Sequence, residues 1–170
     1  MINEQMRSAR EFLNRLSISS GVSGHEVSIA SLVMERFKSL TDEVQCDAFG
    51  NVYTLKRGNS KPNKKIMIAA HMDEIGLIVT KIDPRGFLRF TSIGGVDQRT
   101  LLSQEVLIHG RRTIPGIIGS LPPHLLESLD SDQAVKMEDM TIDVGLSPTK
   151  LNEVTSRGYH YPQARNISFT

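Results

Sequence analysis

His71 and Asp73 stand two positions apart, directly after the apolar run Lys65-Ile66-Met67-Ile68-Ala69-Ala70, and no other pair in the chain carries as much chemical signal. In extended backbone, side chains repeat every two residues, so both would point to one face. The carboxylate can then accept the imidazole's second N–H, which fixes the tautomer and raises the ring's basicity while its other nitrogen binds a metal ion. The run before the pair reads as a buried strand, and the carboxyl end of such a strand is a common place for chemistry in open α/β sheets. Taken alone, H-x-D is short and arises often by chance. A histidine at a strand end can simply bond a backbone carbonyl.

The other candidate groups read less sharply. His25 lies beside a predicted helix start and is expected on the surface of that helix. His109 precedes Gly110-Arg111-Arg112 and is expected at an exposed turn. His124 reads first as an ordinary structural histidine, with an assembly contact as the alternative because Pro122 and Pro123 stiffen its approach, and His160 falls in a tail without periodicity. The single cysteine, Cys46, excludes an internal disulfide and makes a reduced, cytoplasmic setting the simplest account. Its neighbour Asp47 opposes thiolate formation, which argues against a nucleophile.

These groups need a scaffold, and 170 residues suffice for one ordinary domain, or for one small domain and part of another. With 20 basic against 19 acidic residues and a net charge of +1, no bulk field favours nucleic acid or an anionic membrane, so neither is expected as a partner. The densest basic stretch, Lys56 to Lys65, has no aromatic residue on which a base could stack and reads as a solvated turn. No apolar run reaches membrane-spanning or signal-peptide length.

Ile2, Met6, Ala9, Leu13 and Leu16 predict an amphipathic helix with one apolar stripe. Ser23 and Glu26 have the spacing of a capping box ahead of a second helix, whose apolar face would be Val27, Ala30, Val33, Met34, Phe37 and Leu40. Strands are predicted around Val44 to Cys46 and Val52 to Lys56, joined by Asp47-Ala48-Phe49-Gly50-Asn51, and then over the run ending at Ala70. Beyond His71 the texture changes to short β-like segments separated by glycine and proline: Gly76 to Ile82, Phe87 to Ser92, Glu105 to His109, Ile114 to Ile118 and Met140 to Val144. Ser147-Pro148 has the cap-then-proline order of a helix start, with its stop near Gly158.

In order, Ile68-Ala69-Ala70-His71-Met72-Asp73-Glu74-Ile75-Gly76-Leu77-Ile78-Val79, Ile93-Gly94-Gly95-Val96-Asp97 and Gly116-Ile117-Ile118-Gly119-Ser120-Leu121-Pro122-Pro123-His124 strongly resemble the glutamyl and deblocking aminopeptidases. These are metal-dependent enzymes of tetrahedral assemblies, some of them named endoglucanases. Ser23-Gly24-His25-Glu26 and Asp47-Ala48-Phe49-Gly50-Asn51 fit the same family's amino-terminal pattern, and the match runs over roughly residues 5 to 158. The resemblance implies an α/β fold: part of a zinc-aminopeptidase-like catalytic domain in residues 1–72, a β-rich, barrel-like dimerisation insert in 73–160, and a tail of undefined structure in 161–170. It also implies two divalent ions, zinc or cobalt, that activate a shared water against the amino-terminal peptide bond of a short peptide. By position, His71 would be a metal ligand and Asp73 the catalytic-site carboxylate that supports it. Assembly into a homo-oligomer would run through the insert.

The family's remaining ligands and its general base come after the insert, and nothing here matches their motifs. Glu138-Asp139 and Asp143-Val144-Gly145-Leu146 have the wrong neighbours and fall inside the insert. The chain therefore resembles the amino-terminal half of a longer enzyme, as a truncation or an altered reading frame would leave it. Two close cations need several anionic or imidazole ligands before a bound water becomes a nucleophile at neutral pH, and one histidine does not suffice. The expectation is a family aminopeptidase whose present polypeptide has no activity alone. The alternatives are a non-catalytic assembly module derived from such an enzyme, or a related hydrolase of acylated amino acids or sugars, against which the insert-type motifs argue.

Overall fold

The architecture comes from a computed structural model that describes residues 4–59, 64–120, 134–155 and 166–169. The chain divides into two compact units, Met1–Glu74 and Ile75–Thr170.

The first unit opens with helix α1 (Glu4–Ser17) and helix α2 (Val27–Lys38), followed by a hairpin of β1 (Glu43–Cys46) and β2 (Val52–Leu55). Its packing departs from the predicted stripes. Met6 and Leu13 of α1 are more than half exposed, and the contacts to α2 come from their neighbours: Arg15 pairs with Glu35 at 3.1 Å, and the Arg36 guanidinium lies over the Phe12 ring at 5.8 Å. In α2 the buried side chains are Ile29 and Ala30, while Val27 faces solvent. The hairpin forms as its turn residues predict, with Cys46 opposite Val52. Asp47 organises its loop by accepting the backbone N–H groups of Phe49 and Asn51, the Asn51 side-chain amide and the Tyr53 hydroxyl.

The predicted third strand is absent. Residues 64–73 have no regular structure, and the backbone of 65–70 makes no hydrogen bond among the described residues. Ile66, Met67 and Ile68 are 88%, 91% and 92% exposed, against the expectation of burial. A strand exists only as part of a ladder, and composition alone supplies no partner. Each of these three side chains leaves about 1.5–3 kcal/mol of burial free energy unrealised.

The second unit is a closed barrel. Its strands are β3 (Gly76–Ile82), β4 (Leu88–Ile93), β5 (Glu105–His109), β6 (Thr113–Ser120), β7 (Met140–Asp143) and β8 (Asn166–Phe169), in the order β3-β4-β7-β6-β5-β8, with every pairing antiparallel. Alternation drives the closure. Along β6, Ile114, Gly116 and Ile118 are buried while Thr113, Pro115 and Ile117 are exposed, the period of two that turns one face inward. Val106 and Ile108 of β5, Met140 and Ile142 of β7 and Ile167 of β8 complete the interior from their strands. A register shift between Val79 and Lys81 adds the local bend that a closing sheet needs. Gly116 is required by close approach: a Cβ there would lie 2.6 Å from Cγ2 of Ile142 and 2.9 Å from Cδ1 of Ile108. Helix α3 (Pro148–Thr155) starts at the predicted proline and buries Leu151 in the same core.

Strand β8 lies in the segment for which the sequence predicted no element. Four residues are too few to display a period, and its pairing with both β3 and β5 is a tertiary fact. His109 is likewise not at an exposed turn. It is partly buried, with Nδ1 3.2 Å from the Thr113 hydroxyl and Nε2 2.9 Å from the hydroxyl of Ser168, which β8 brings in. His124 and His160 lie outside the described residues.

Candidate functional site

Two segments of the first unit, residues 21–26 and 71–74, build the site. Val22, fully buried, forms a parallel bridge with Glu74, in which the Glu74 N–H donates to the Gly21 carbonyl at 2.9 Å and the Ser23 N–H to the Glu74 carbonyl at 3.3 Å. Gly21 lets the loop pass close to α2, since a Cβ there would meet Cγ1 of Ile29 at 2.5 Å. Its own N–H donates to Oε1 of Glu74 at 2.9 Å. The loop ahead of α2 is thereby fixed against the residues that follow the exposed run.

On this frame Asp73 is held from two sides. The Ser23 hydroxyl donates to Oδ2 at 2.6 Å, and Nδ1 of His71 lies 3.1 Å from Oδ1 and 3.0 Å from the Asp73 carbonyl oxygen. With the hydrogen on Nδ1, the imidazole donates to this pair of oxygens and Nε2 is left with its lone pair outward. Nε2 has no partner among the described residues, and the His71 side chain is 86% exposed. The hydrogen bond from Ser23, ahead of partial desolvation that opposes it, holds the Asp73 carboxyl below the ordinary carboxylate range. Asp73 is thus an anion that orients its neighbour.

Ser23 is the residue whose role the sequence misassigned. Its spacing to Glu26 predicted a capping box, but α2 begins at Val27 with Glu26 as the N-cap, and no side chain caps it. The hydroxyl is engaged with Asp73, and Glu26 instead accepts the Gly24 N–H at 2.7 Å. The role of Glu74 is equally hidden in the sequence. Only its adjacency to the H-x-D pair was available to flag it, because Gly21 and Ser23 are fifty or more residues away in sequence. His25 is half-buried beside these groups and turns back through its N–H to the Val22 carbonyl at 2.7 Å.

As a metal centre the constellation is one donor deep. Among the described residues, no three His, Cys, Asp or Glu side chains converge on a common point. An imidazole with an exposed nitrogen and an orienting carboxylate fits a single coordination position; it does not fit a complete site for one ion or two.

The fold and this pair together define a class. The family model for M42 glutamyl aminopeptidase matches residues 50–159, and the chain belongs to that family. It is 40% identical over 142 residues to a lysyl aminopeptidase of Pyrococcus furiosus, an alignment that covers 81% of this chain and 40% of that protein. Among solved structures, the TET aminopeptidase of a marine-sediment Thaumarchaeota archaeon superposes with a TM-score of 0.84 at 31% identity, over 96% of this chain and 44% of that one. The TET1 peptidase of Pyrococcus horikoshii, reported to assemble into a tetrahedron or a large octahedral shell, gives 0.74 at 30% identity, over 94% and 46%. The chain therefore spans less than half the length of these relatives.

Proposed function

We propose that this chain is the metal-binding edge and barrel portion of a metal-dependent aminopeptidase that removes amino-terminal residues from short peptides. The observation that carries the reading is the His71–Asp73 pair, its carboxylate charged and braced by Ser23 and its outer imidazole nitrogen available. In the site His71 supplies one neutral nitrogen ligand and Asp73 fixes its tautomer and direction. Divalent metal ions, when bound, would lower the pKa of a coordinated water toward neutrality. The general base and remaining ligands do not come from the described residues, so the polypeptide alone is proposed to be inactive toward peptides.

The barrel is proposed as the insert through which copies assemble, by analogy with the assembling TET1 peptidase. A chimera tests the catalytic reading. This chain is joined covalently to the portion of the Pyrococcus furiosus lysyl aminopeptidase that lies beyond its aligned segment, and aminoacyl chromogenic substrates are supplied with cobalt or zinc. The expected result is turnover in the chimera and a loss of at least a hundredfold in its His71→Ala variant. A folded chimera whose activity ignores His71→Ala would overturn the assignment.

A further inference from the structure

We propose that Glu74 and Ser23 are positioning residues that act in series: Glu74 holds the loop ahead of α2 in register, the loop aims the Ser23 hydroxyl at Asp73, and the fixed Asp73 keeps the hydrogen of the His71 imidazole on Nδ1. The catalytic meaning of this relay rests on the metal reading above. The relay itself belongs to this chain and can be read without metal.

Glu74 grips the loop through three groups. Its N–H donates to the Gly21 carbonyl at 2.9 Å, its carbonyl accepts the Ser23 N–H at 3.3 Å, and its Oε1 accepts the Gly21 N–H at 2.9 Å. The two main-chain bonds belong to the bridge with Val22, which lies fully buried between them. The side-chain bond answers the N–H of Gly21, itself a buried residue, and a buried donor is rarely left unpaired in a native fold. Ile29 packs against the other side of the loop. The turn that follows completes the aim. His25 N–H donates to the Val22 carbonyl at 2.7 Å and Gly24 has φ +85°, the hydrogen bond and the positive φ of a type II turn with Ser23 at its second position. From there the Ser23 hydroxyl reaches Oδ2 of Asp73 at 2.6 Å.

Serine, aspartate and histidine are also the residue types of a nucleophilic triad, but the order of contacts is wrong for one. The Ser23 hydroxyl donates to the carboxylate and not to the imidazole, so Asp73 stands between the two and no base takes the serine's proton. What this order permits is control of the ring. With Oδ2 engaged by Ser23, Oδ1 faces Nδ1 of His71 at 3.1 Å, and the Asp73 carbonyl oxygen lies beside it at 3.0 Å. The hydrogen bond at one ring nitrogen decides where the proton sits, and without one a neutral histidine favours hydrogen on Nε2. The outward lone pair of His71 is therefore a product of the relay. Break a link, and Asp73 is free to rotate and the hydrogen returns to Nε2, where it blocks the nitrogen that would bind a metal ion.

The test reads the tautomer from the ring nitrogen shifts of His71 in the 15N-labelled full chain, with a chelator present, at about pH 8.5, where an ordinary imidazole is neutral. The unaltered chain is expected to carry the hydrogen on Nδ1. Glu74→Gln keeps an oxygen at the same reach and is expected to leave the ring unchanged. Glu74→Asp keeps the charge but falls one methylene short of Gly21, and is expected to lower the Nδ1–H population by roughly threefold or more. Ser23→Ala is expected to match Glu74→Asp, Ser23→Thr to match the unaltered chain, and the Glu74→Asp, Ser23→Ala double variant to go no further, as links of one series must. Hydrogen on Nε2 in the unaltered chain, a ring indifferent to Ser23→Ala, or Glu74→Gln and Glu74→Asp behaving alike would each overturn the proposal. Loss in Glu74→Gln with retention in Glu74→Asp would overturn it too, by assigning the effect to charge. A relay that holds, in a chain whose chimera ignores His71→Ala, would sink only the metal reading.

Discussion

The Ser23 hydroxyl lies nearer to Asp73 than the His71 imidazole does, 2.6 Å against 3.1 Å, and it is the larger influence on the carboxyl's ionisation. Because the folded pKa is depressed, the stabilisation this carboxylate provides is present above the ordinary aspartate range and is lost as pH falls through the lowered value. Ser23→Ala is therefore expected to raise the Asp73 pKa and move that loss to higher pH, as a carboxyl 13C titration would read; an unchanged titration would contradict the assigned cause. Asp97 in the second unit offers a stronger case. Arg99 donates to it through side chain and backbone, which brings its pKa from 3.8 to about 2. Its contribution should be complete above pH 4 or so, fade as pH falls toward 2, and be missing at neutral pH in Asp97→Asn, a difference that acid unfolding would measure. At this scale the sequence was half legible. His71 and Asp73 announce themselves by type and spacing, whereas Ser23, Glu74 and Gly21 become partners only when a loop ahead of α2 meets them, and no local pattern encodes that meeting.

Elements whose burial is settled by alternation were read closely. Glu105–His109 is a strand with the predicted bounds and turns Val106 and Ile108 inward, since a hydrophobic face of period two has one way to turn when a core is available; Gly76–Ile82 also has the predicted bounds, although its burial does not alternate. The run 65–70 failed the same reading because composition reports a tendency to be buried and says nothing about whether a ladder partner is present. Within the barrel, β6 permits a paired test of packing. Gly116→Ala is expected to destabilise the barrel by about 1–3 kcal/mol, because the new methyl group would press on Ile142 and Ile108. Gly119→Ala on the same strand has open space at its Cβ and should change the melting temperature little by comparison. Equal effects in thermal unfolding would show that the interior is not packed as described.

Across the whole molecule the two units differ in how much core they own. Val22, Ile29 and Ala30 are the buried apolar side chains of the first among the described residues, whereas the second assembles its interior from all six strands and α3. Local stability follows buried contacts and paired backbone, so limited trypsin digestion of the chain alone should cut first at Lys64 or Lys65 and leave the barrel as a resistant fragment, identifiable by mass spectrometry. Early cleavage after Lys81 in β3 or Arg89 in β4 would contradict that ranking. The ring of strands also carries a timing consequence. Leu77 at its start lies opposite Ile167, which the ribosome adds ninety residues later, so during synthesis the flanks of β3 and β5 stay open until Asn166–Phe169 arrive. Nascent polypeptides stalled before that point would offer two sticky borders to any neighbouring chain, which makes Asn166–Phe169 a latch against clumping as much as a piece of the barrel wall.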